Sequence, residues 1–431
     1  MIQEFSIRNY LSIKDTQTLS FVPRKSDLDD ETFTAEAAPG VRLLKSALLY
    51  GANASGKTNI LKALDFLRKI VIKTRKREDD TGFVPFNFDS EYRQSPGEFE
   101  IIFFHEQKKF KYYLKINETR ILEEELNYYP GKRPAKLYER KTINDQEIFI
   151  KFNSTYKVNS AEEKMIRART LPNVSVLSSF SEVSIQNKVL FSAFQGFSKL
   201  MPIIYPKTSL KEYTTRMINK DSKIEQLITI LMKKADFNIN KIVNREESIP
   251  FDESIFSKLN FPDTLVEKLK EKGKITRDKT EFYHNIIEND SLKSYSLESE
   301  LESRGTWRYF GLAGPILEAL KHNEVLNIDE LDSSLHPDLL CFIYLMFLVN
   351  SHKAQMIFTL HNRELLDDKE LRRRDNTWFT EKQKDGSTEL YSIADIEGIR
   401  NDKSFEKLYK SGKFGAIPNL GSIYLDLDHE E

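Results

Sequence analysis

Cysteine is almost missing from these 431 residues: Cys341 stands alone. No disulfide can close within the chain and no thiolate cluster can gather a metal there, which suits the cytoplasm. A surplus of charge is missing too. With 65 basic against 66 acidic side chains the net charge is -1, which argues against a protein that coats nucleic acid along a whole basic face and leaves only a local patch open. Long apolar runs are absent. The longest, "LLCFIYLMFLV" from Leu339 to Val349, is too short to span a bilayer and reads as a buried helix, so no membrane is expected. The N-terminus, "MIQEFSIRNYLSIKDTQTLSF", alternates like a strand pair and lacks the continuous apolar core of a signal peptide. No internal repeat, low-complexity linker or sustained heptad pattern is seen, so no long coiled-coil arm is expected.

What is present is 39% hydrophobic residues, enough to fill the cores of two or three domains. Within them, "SALLYGANASGKTN" from Ser46 to Asn59 has the form G-x-x-x-x-G-K-[ST]. The apolar "ALLY" predicts a buried strand, and "TNILKALDFLRKIVIK" repeats apolar residues at helical spacing. Gly51 and Gly56 let the backbone curl so that successive N–H groups point at phosphate oxygens. Lys57 reaches the β- and γ-phosphates, and the Thr58 hydroxyl is placed to hold Mg2+ above a helix N-terminus. The chemistry is a triphosphate cradle, a loop shared by many unrelated enzymes.

The surrounding text divides the chain. "EFEIIFFHEQKKFKYYLKIN", "RILEEELNYY", "KLYERK" and "EIFIKF" predict an antiparallel meander, giving one mixed lobe over residues 1–152. Residues 153–295 read as a mainly helical insertion, with a strand pair open around "NINKIVN". Residues 296–395 return to alternating strands and helices, as in a parallel sheet covered by helices, and residues 396–431 form a tail.

Three further stretches carry chemistry. In "VLNIDELDSSLHP" an apolar strand delivers Asp329 and Glu330 to its carboxyl end, where open parallel sheets bind ligands. Asp329 suits a Mg2+ water shell, and Glu330 suits a general base acting on water. "ESRGTWRYFGLAGPILEAL" puts Ser303, Arg304 and Gly305 at a helix start, readable as an anion site or as an ordinary cap. "AQMIFTLHNRELLD" ends a strand at His361, which alone reads as packing or surface as easily as chemistry.

Phosphate loop, S-x-G at a helix start, Asp-Glu after a strand, Asp332 and a strand-terminal histidine, in that order, resemble the ATP-binding cassette and SMC-like ATPases. The resemblance implies an α/β fold: a P-loop ATPase head with an antiparallel β subdomain and a helical insertion. It implies nucleotide contacts from Gly51, Ala52, Asn53, Ala54, Ser55, Gly56, Lys57, Thr58 and Asn59, with Thr58 and Asp329 on magnesium. Glu330, His361 and Lys57 take the catalytic roles, His361 as the switch histidine. Ser303 and Gly305 are expected on the γ-phosphate of ATP held by a second subunit, with Asp332 linking two sites in a head-to-tail homodimer or higher even oligomer. The glutamine that this class places after the phosphate loop has no clear match; Gln94 is a guess.

A narrower resemblance rests on "FSIRNYLSI", "FVPFNFD", "ADFNINKI", "ESRGT" and "LYKSGKFGAIPNL" in order. It is to the bacterial AAA-type ATP-binding proteins of abortive-infection and restriction-linked loci, RloA-like or AbiLi-like. The family implies an ATP-driven switch in phage defence and a separate nuclease-like effector encoded nearby. Relatives that cut nucleic acid themselves add a Toprim domain, for which the 70 residues after His361 are too few. The acidic end, with Asp426, Asp428, Glu430 and Glu431, reads as a solvated tail. The competing reading is a DNA-repair or SMC-type ATPase acting directly on nucleic acid through Lys73 to Arg77 or Arg372 to Arg374. A transporter subunit fits poorly, because the meander and the long insertion do not resemble a compact cassette.

Overall fold

The computed structural model describes residues 1–25, 30–144, 147–156, 158–183, 187–235, 239–250, 270, 274–297, 301–368, 370–399 and 403–418. The stretch "SALLYG" forms a strand, Ser46–Gly51, buried at all six positions. It lies inside a six-stranded sheet ordered Leu200–Ile204, Val325–Ile328, Gln355–Thr359, Ser46–Gly51, Thr377–Lys382 and Thr388–Ser392. The first five strands are parallel and the last returns antiparallel. Val325–Ile328 and Gln355–Thr359 are also buried throughout. A parallel sheet covered on both faces requires this, and it explains why these strands read as apolar runs.

The meander forms a second, antiparallel sheet in the order Ile148–Phe152, Ala135–Thr142, Ile121–Tyr129, Lys108–Ile116, Gly97–His105, Ile2–Arg8 and Gln17–Ser20. Its strands alternate: Phe99, Ile101, Phe110, Tyr112 and Leu114 are buried, while Glu100 and Lys111 pair across strands on the other face at 2.8 Å. The helix Lys57–Ile72 shares one core with both sheets. Its Ile60, Leu64, Leu67 and Val71 cluster with Phe5, Phe99 and Ile101 of the antiparallel sheet and with Ala47, Leu49 and Ile357 of the parallel one. Burial on two sides accounts for the density of apolar residues along this helix.

Both sheets belong to one compact unit, Met1–Pro206 with Ala319–Ser333 and Ile343–Glu431. The expected boundary at 152 and 153 therefore moves to Pro206. The helices Ser160–Arg169, Val176–Ser181 and Lys188–Ser198 and the strand Leu200–Ile204 stay with the first unit, because Leu200–Ile204 pairs with Val325–Ile328.

The second unit, Lys207–Glu318 with Ser334–Phe342, is less helical than expected. After the helices Lys211–Lys220 and Ser222–Lys234 comes a three-stranded antiparallel sheet of Ile239–Pro250, Lys274–Glu288 and Ser291–Leu297. Ser291–Leu297 is exposed at six of its seven positions, so no alternation marks it as a strand. Pro315 lies inside the helix Arg304–His322 and has no N–H to give the Gly311 carbonyl four residues earlier. The hydroxyl of Thr214 donates to that carbonyl instead, at 2.9 Å. A Cβ on Gly314 would lie 2.4 Å from the same hydroxyl, so glycine there permits the approach. Among the described residues no helix is long and apolar enough to cross a membrane.

Candidate active site

Five parallel strands end on one side of the six-stranded sheet, and their carboxyl ends carry the chemistry. Ser46–Gly51 runs into the glycine loop, which returns as the helix Lys57–Ile72. Gly56, at φ 103, precedes that helix with no side-chain cap, so the N–H groups of the first turn remain open to an anion. A Cβ on Gly56 would sit 2.1 Å from Thr388 Oγ1, and one on Gly51 would sit 2.5 Å from the Thr380 carbonyl. Only glycine fits either position. Ala54 takes a positive φ of 59 without being glycine, a local strain held by its surroundings.

A cleft of about 630 Å³ opens here, lined by the loop from Asn53 to Asn59 together with Asp329, Glu330 and His361. Lys57 Nζ donates to the carbonyls of Gly51 at 2.8 Å and Ala52 at 3.1 Å. Burial lowers its pKa below the ordinary lysine value, opposed by the charges of Asp329, Glu330 and Asp332. Thr58 Oγ1 donates to Asp329 Oδ1 at 3.0 Å, and Thr359 Oγ1 donates to the same carboxylate oxygen at 2.8 Å. The Glu330 N–H in turn donates to Thr359 Oγ1 at 2.7 Å. Glu330 itself has a φ of 48, and its carboxylate lies 3.7 Å from His361 Nε2.

This oxygen set fits magnesium. One carboxylate and one hydroxyl converge, and no group of three or more His, Cys, Asp or Glu side chains able to hold a metal occurs among the described residues. Magnesium takes one or two protein ligands beside phosphates and water, whereas an all-protein cage suits other ions. The loop likewise fits a triphosphate, through its open N–H groups and the buried Lys57 ammonium beside them.

Asp332 does not line the cleft. Its Oδ2 accepts from the backbone N–H of His361 at 2.8 Å and of Asn362 at 2.5 Å, which ties the acidic turn to the histidine turn. Ser303 belongs to the second unit, where its Oγ accepts from the Thr306 N–H at 3.0 Å as a helix cap while its surface stays exposed. Gly305 is also there, and a Cβ added to it would stand 3.1 Å from the Ser334 carbonyl. Gln94 ends the short exposed helix Ser90–Gln94 and does not line the cleft. The strand beside Val325–Ile328 is Leu200–Ile204, and it delivers Tyr205 next to Asp329. Burial raises the Tyr205 pKa, with the charges of Asp65 and Asp329 adding to it. The acidic residues Asp426, Asp428, Glu430 and Glu431 lie outside the described residues.

Sequence reasoning missed a hydroxyl lattice beneath the loop. Asn59 Nδ2 donates to Ser12 Oγ at 2.7 Å, Ser12 Oγ and Thr388 Oγ1 share a hydrogen bond of 2.7 Å, and Thr388 Oγ1 donates to the Ser55 carbonyl at 2.9 Å. Ser55 Oγ also meets Thr380 Oγ1 at 2.6 Å. No local pattern marks Ser12, Thr359, Thr380 or Thr388, because each reaches its place only by long-range folding.

With this geometry in hand, a family described as "AAA domain, putative AbiEii toxin, Type IV TA system" matches residues 46–367. The chain belongs to this AAA family. By fold it is an α/β P-loop domain of that family, with the parallel sheet, phosphate loop and acidic strand end already described. Similar solved structures include the SMC head domain from Thermotoga maritima, at 14% identity and a TM-score of 0.40, covering 91% of this chain and 98% of that one. Another is an Smc head domain with an extended coiled coil bound to the C-terminal domain of ScpA, derived from Pyrococcus furiosus. It shows 10% identity and a TM-score of 0.39, covering 96% of this chain and 98% of that one. No curated protein matches this AAA-family chain.

Proposed function

We propose that the chain is an ATP-hydrolysing switch that closes as a head-to-tail dimer around two Mg-ATP and controls a separate nuclease-like effector in phage defence. The observation that carries the ATPase reading is the meeting of Lys57, Thr58, Asp329, Glu330 and His361 around one cleft. In this reading the loop N–H groups and Lys57 bind the β- and γ-phosphates, and Thr58 and Asp329 hold magnesium. Bound magnesium neutralises charge on the phosphate oxygens. Glu330 accepts a proton from the attacking water, and His361, beside it, orients the γ-phosphate end of the cleft. Asp332 sets the height of His361 through its backbone.

Dimer closure rests on the ordered motifs of the sequence, with Ser303 an exposed helix cap. The narrower RloA-like or AbiLi-like assignment rests on the ordered phrases in the sequence and on a family whose description names a putative toxin. The reading as an ATPase acting directly on nucleic acid loses its second basic cluster. Arg373 is fully buried and paired with Asp375 at 2.8 Å and Asp30 at 2.6 Å, and Arg372 lies over the Phe405 ring at 4.0 Å.

The test is the molar mass of Glu330→Gln by sedimentation with and without Mg-ATP. Removing the base should leave binding intact and trap the closed form, so the mass should double with ATP. The rise should vanish when Ser303→Trp is added. A mass that stays monomeric with ATP bound would end the dimer reading.

A further inference from the structure

Two stretches that stand out in the sequence have no part in the cleft: the basic triplet Arg372 to Arg374 and the C-terminal phrase beginning at Leu408. The structure brings them together. Phe405–Lys410 is a helix of six residues, too short to hold its shape alone in water, so it depends on what it docks against. Arg372 and Arg374 lie over its Phe405 ring at 4.0 and 5.9 Å, and Arg372 donates to the Lys403 carbonyl at 3.3 Å. The Tyr409 ring stacks on Phe379 at 5.1 Å and 15°, while its hydroxyl donates to the Ala416 carbonyl at 2.9 Å. Phe379 pairs with Tyr50 of the neighbouring strand, the residue before Gly51.

The same tail meets the histidine turn. Asp367, which ends the helix Glu364–Asp367, accepts from Ser404 Oγ at 2.7 Å and from the Glu406 N–H at 2.9 Å. Ser404 Oγ itself accepts from the Lys407 N–H at 3.0 Å, so one hydroxyl joins both helices. Arg363, two residues after His361, lies over the Tyr409 ring at 5.3 Å. Between them Asn362 Oδ1 accepts from the Glu364 N–H at 2.8 Å. The turn that carries His361 is therefore held from both ends: Asp332 takes its backbone N–H groups in front, and the tail takes Arg363 and Asp367 behind. His361 Nε2 stands 3.7 Å from the Glu330 carboxylate, and a displacement of about 1 Å at such a group is costly to turnover.

We propose that the tail segment 403–416 is a positioning element of the ATPase site, which holds the His361 turn in place through Arg363, Asp367 and Tyr409. The inference rests on the reading of the cleft as an ATPase site. It adds a remote element that governs turnover without lining the cleft, and it gives the arginine triplet a partner within the chain.

The experiment measures kcat and the Kd for Mg-ATP of the full chain, with and without His361→Ala. Tyr409→Leu removes the ring beneath Arg363 and should lower kcat about tenfold or more with Kd unchanged, because Lys57 and the loop are untouched. Tyr409→Phe keeps the ring and should keep native kcat. Ser404→Ala loses a single hydroxyl, should lower kcat in the same direction, and carries the comparison if the leucine variant does not fold. Beside His361→Ala neither substitution should lower the residual kcat further, since an absent imidazole cannot be displaced. A merely structural role would lower it by the same factor in both backgrounds. Native kcat in Tyr409→Leu and Ser404→Ala, a loss of affinity that matches the loss of kcat, or undiminished losses beside His361→Ala would overturn the positioning role. A native chain that binds Mg-ATP and never hydrolyses it would end the ATPase reading and this inference with it.

Discussion

Lys57 shows what a phosphate loop costs at the scale of a residue. Its ammonium is buried against two loop carbonyls, and its lowered pKa records a charge short of solvation. A triphosphate restores what burial removed, so nucleotide should stabilise the fold by mass action, by about 2.7 kcal/mol at a hundredfold excess over Kd. Lys57→Ala should abolish the ATP-dependent rise in melting temperature seen by calorimetry. Gly56→Ala should do the same with Lys57 still in place, since its Cβ collides with Thr388 Oγ1. A native-sized rise in both variants would refute the loop assignment. The loop was legible in the sequence because its geometry is local, four fixed residue types in eight positions. The neighbours of Asp329 were not, because Thr359 and Tyr205 reach it from strands distant along the chain.

At the scale of elements, the meander is locked to the segment before Val176–Ser181 by a buried ion pair. Glu124 and Arg140 are both fully buried, 3.5 Å apart. Glu124 also accepts from Tyr138 Oη at 2.7 Å and from the Val176 N–H at 2.9 Å, while Arg140 donates to the carbonyls of Val174, Leu171 and Pro172. Burial, then the charge of Glu124, raises the pKa of Tyr112 and Tyr138 well above the ordinary tyrosine value. Removing one partner strands the other, so Arg140→Met should cost about 3–5 kcal/mol by urea unfolding, and adding Glu124→Gln should recover part of it. A loss under about 1 kcal/mol for Arg140→Met would mean that the pair is not buried in solution. The strands of this sheet could be read from alternation. Leu200–Ile204 could not, since a five-residue apolar run among helices fits either structure.

For the whole molecule, near-neutral charge and an internally paired Arg372–Arg374 cluster leave little for a phosphate backbone to grip. The remaining cluster, Lys73 to Arg77, is followed directly by Glu78, Asp79 and Asp80. Duplex DNA should therefore bind weakly, with anisotropy signals that fade between about 50 and 200 mM salt, and should not stimulate hydrolysis. Stimulation of ATP turnover by about tenfold or more at the higher salt would favour direct action on nucleic acid instead.

The amino-acid sequence by itself determined the triphosphate loop, the acidic strand end, the meander and the exclusion of a disulfide closed within these 431 residues. Each depends on residue types at short, fixed spacing or on simple counts. Only the tertiary structure decided that Tyr205 stands beside Asp329 and that Asp332 holds the His361 turn. It also decided that Ser12 and Thr388 stand against the loop. The physical reason is contact order: these relations join residues tens to hundreds of positions apart, and local pattern carries no record of which distant chain end will arrive alongside.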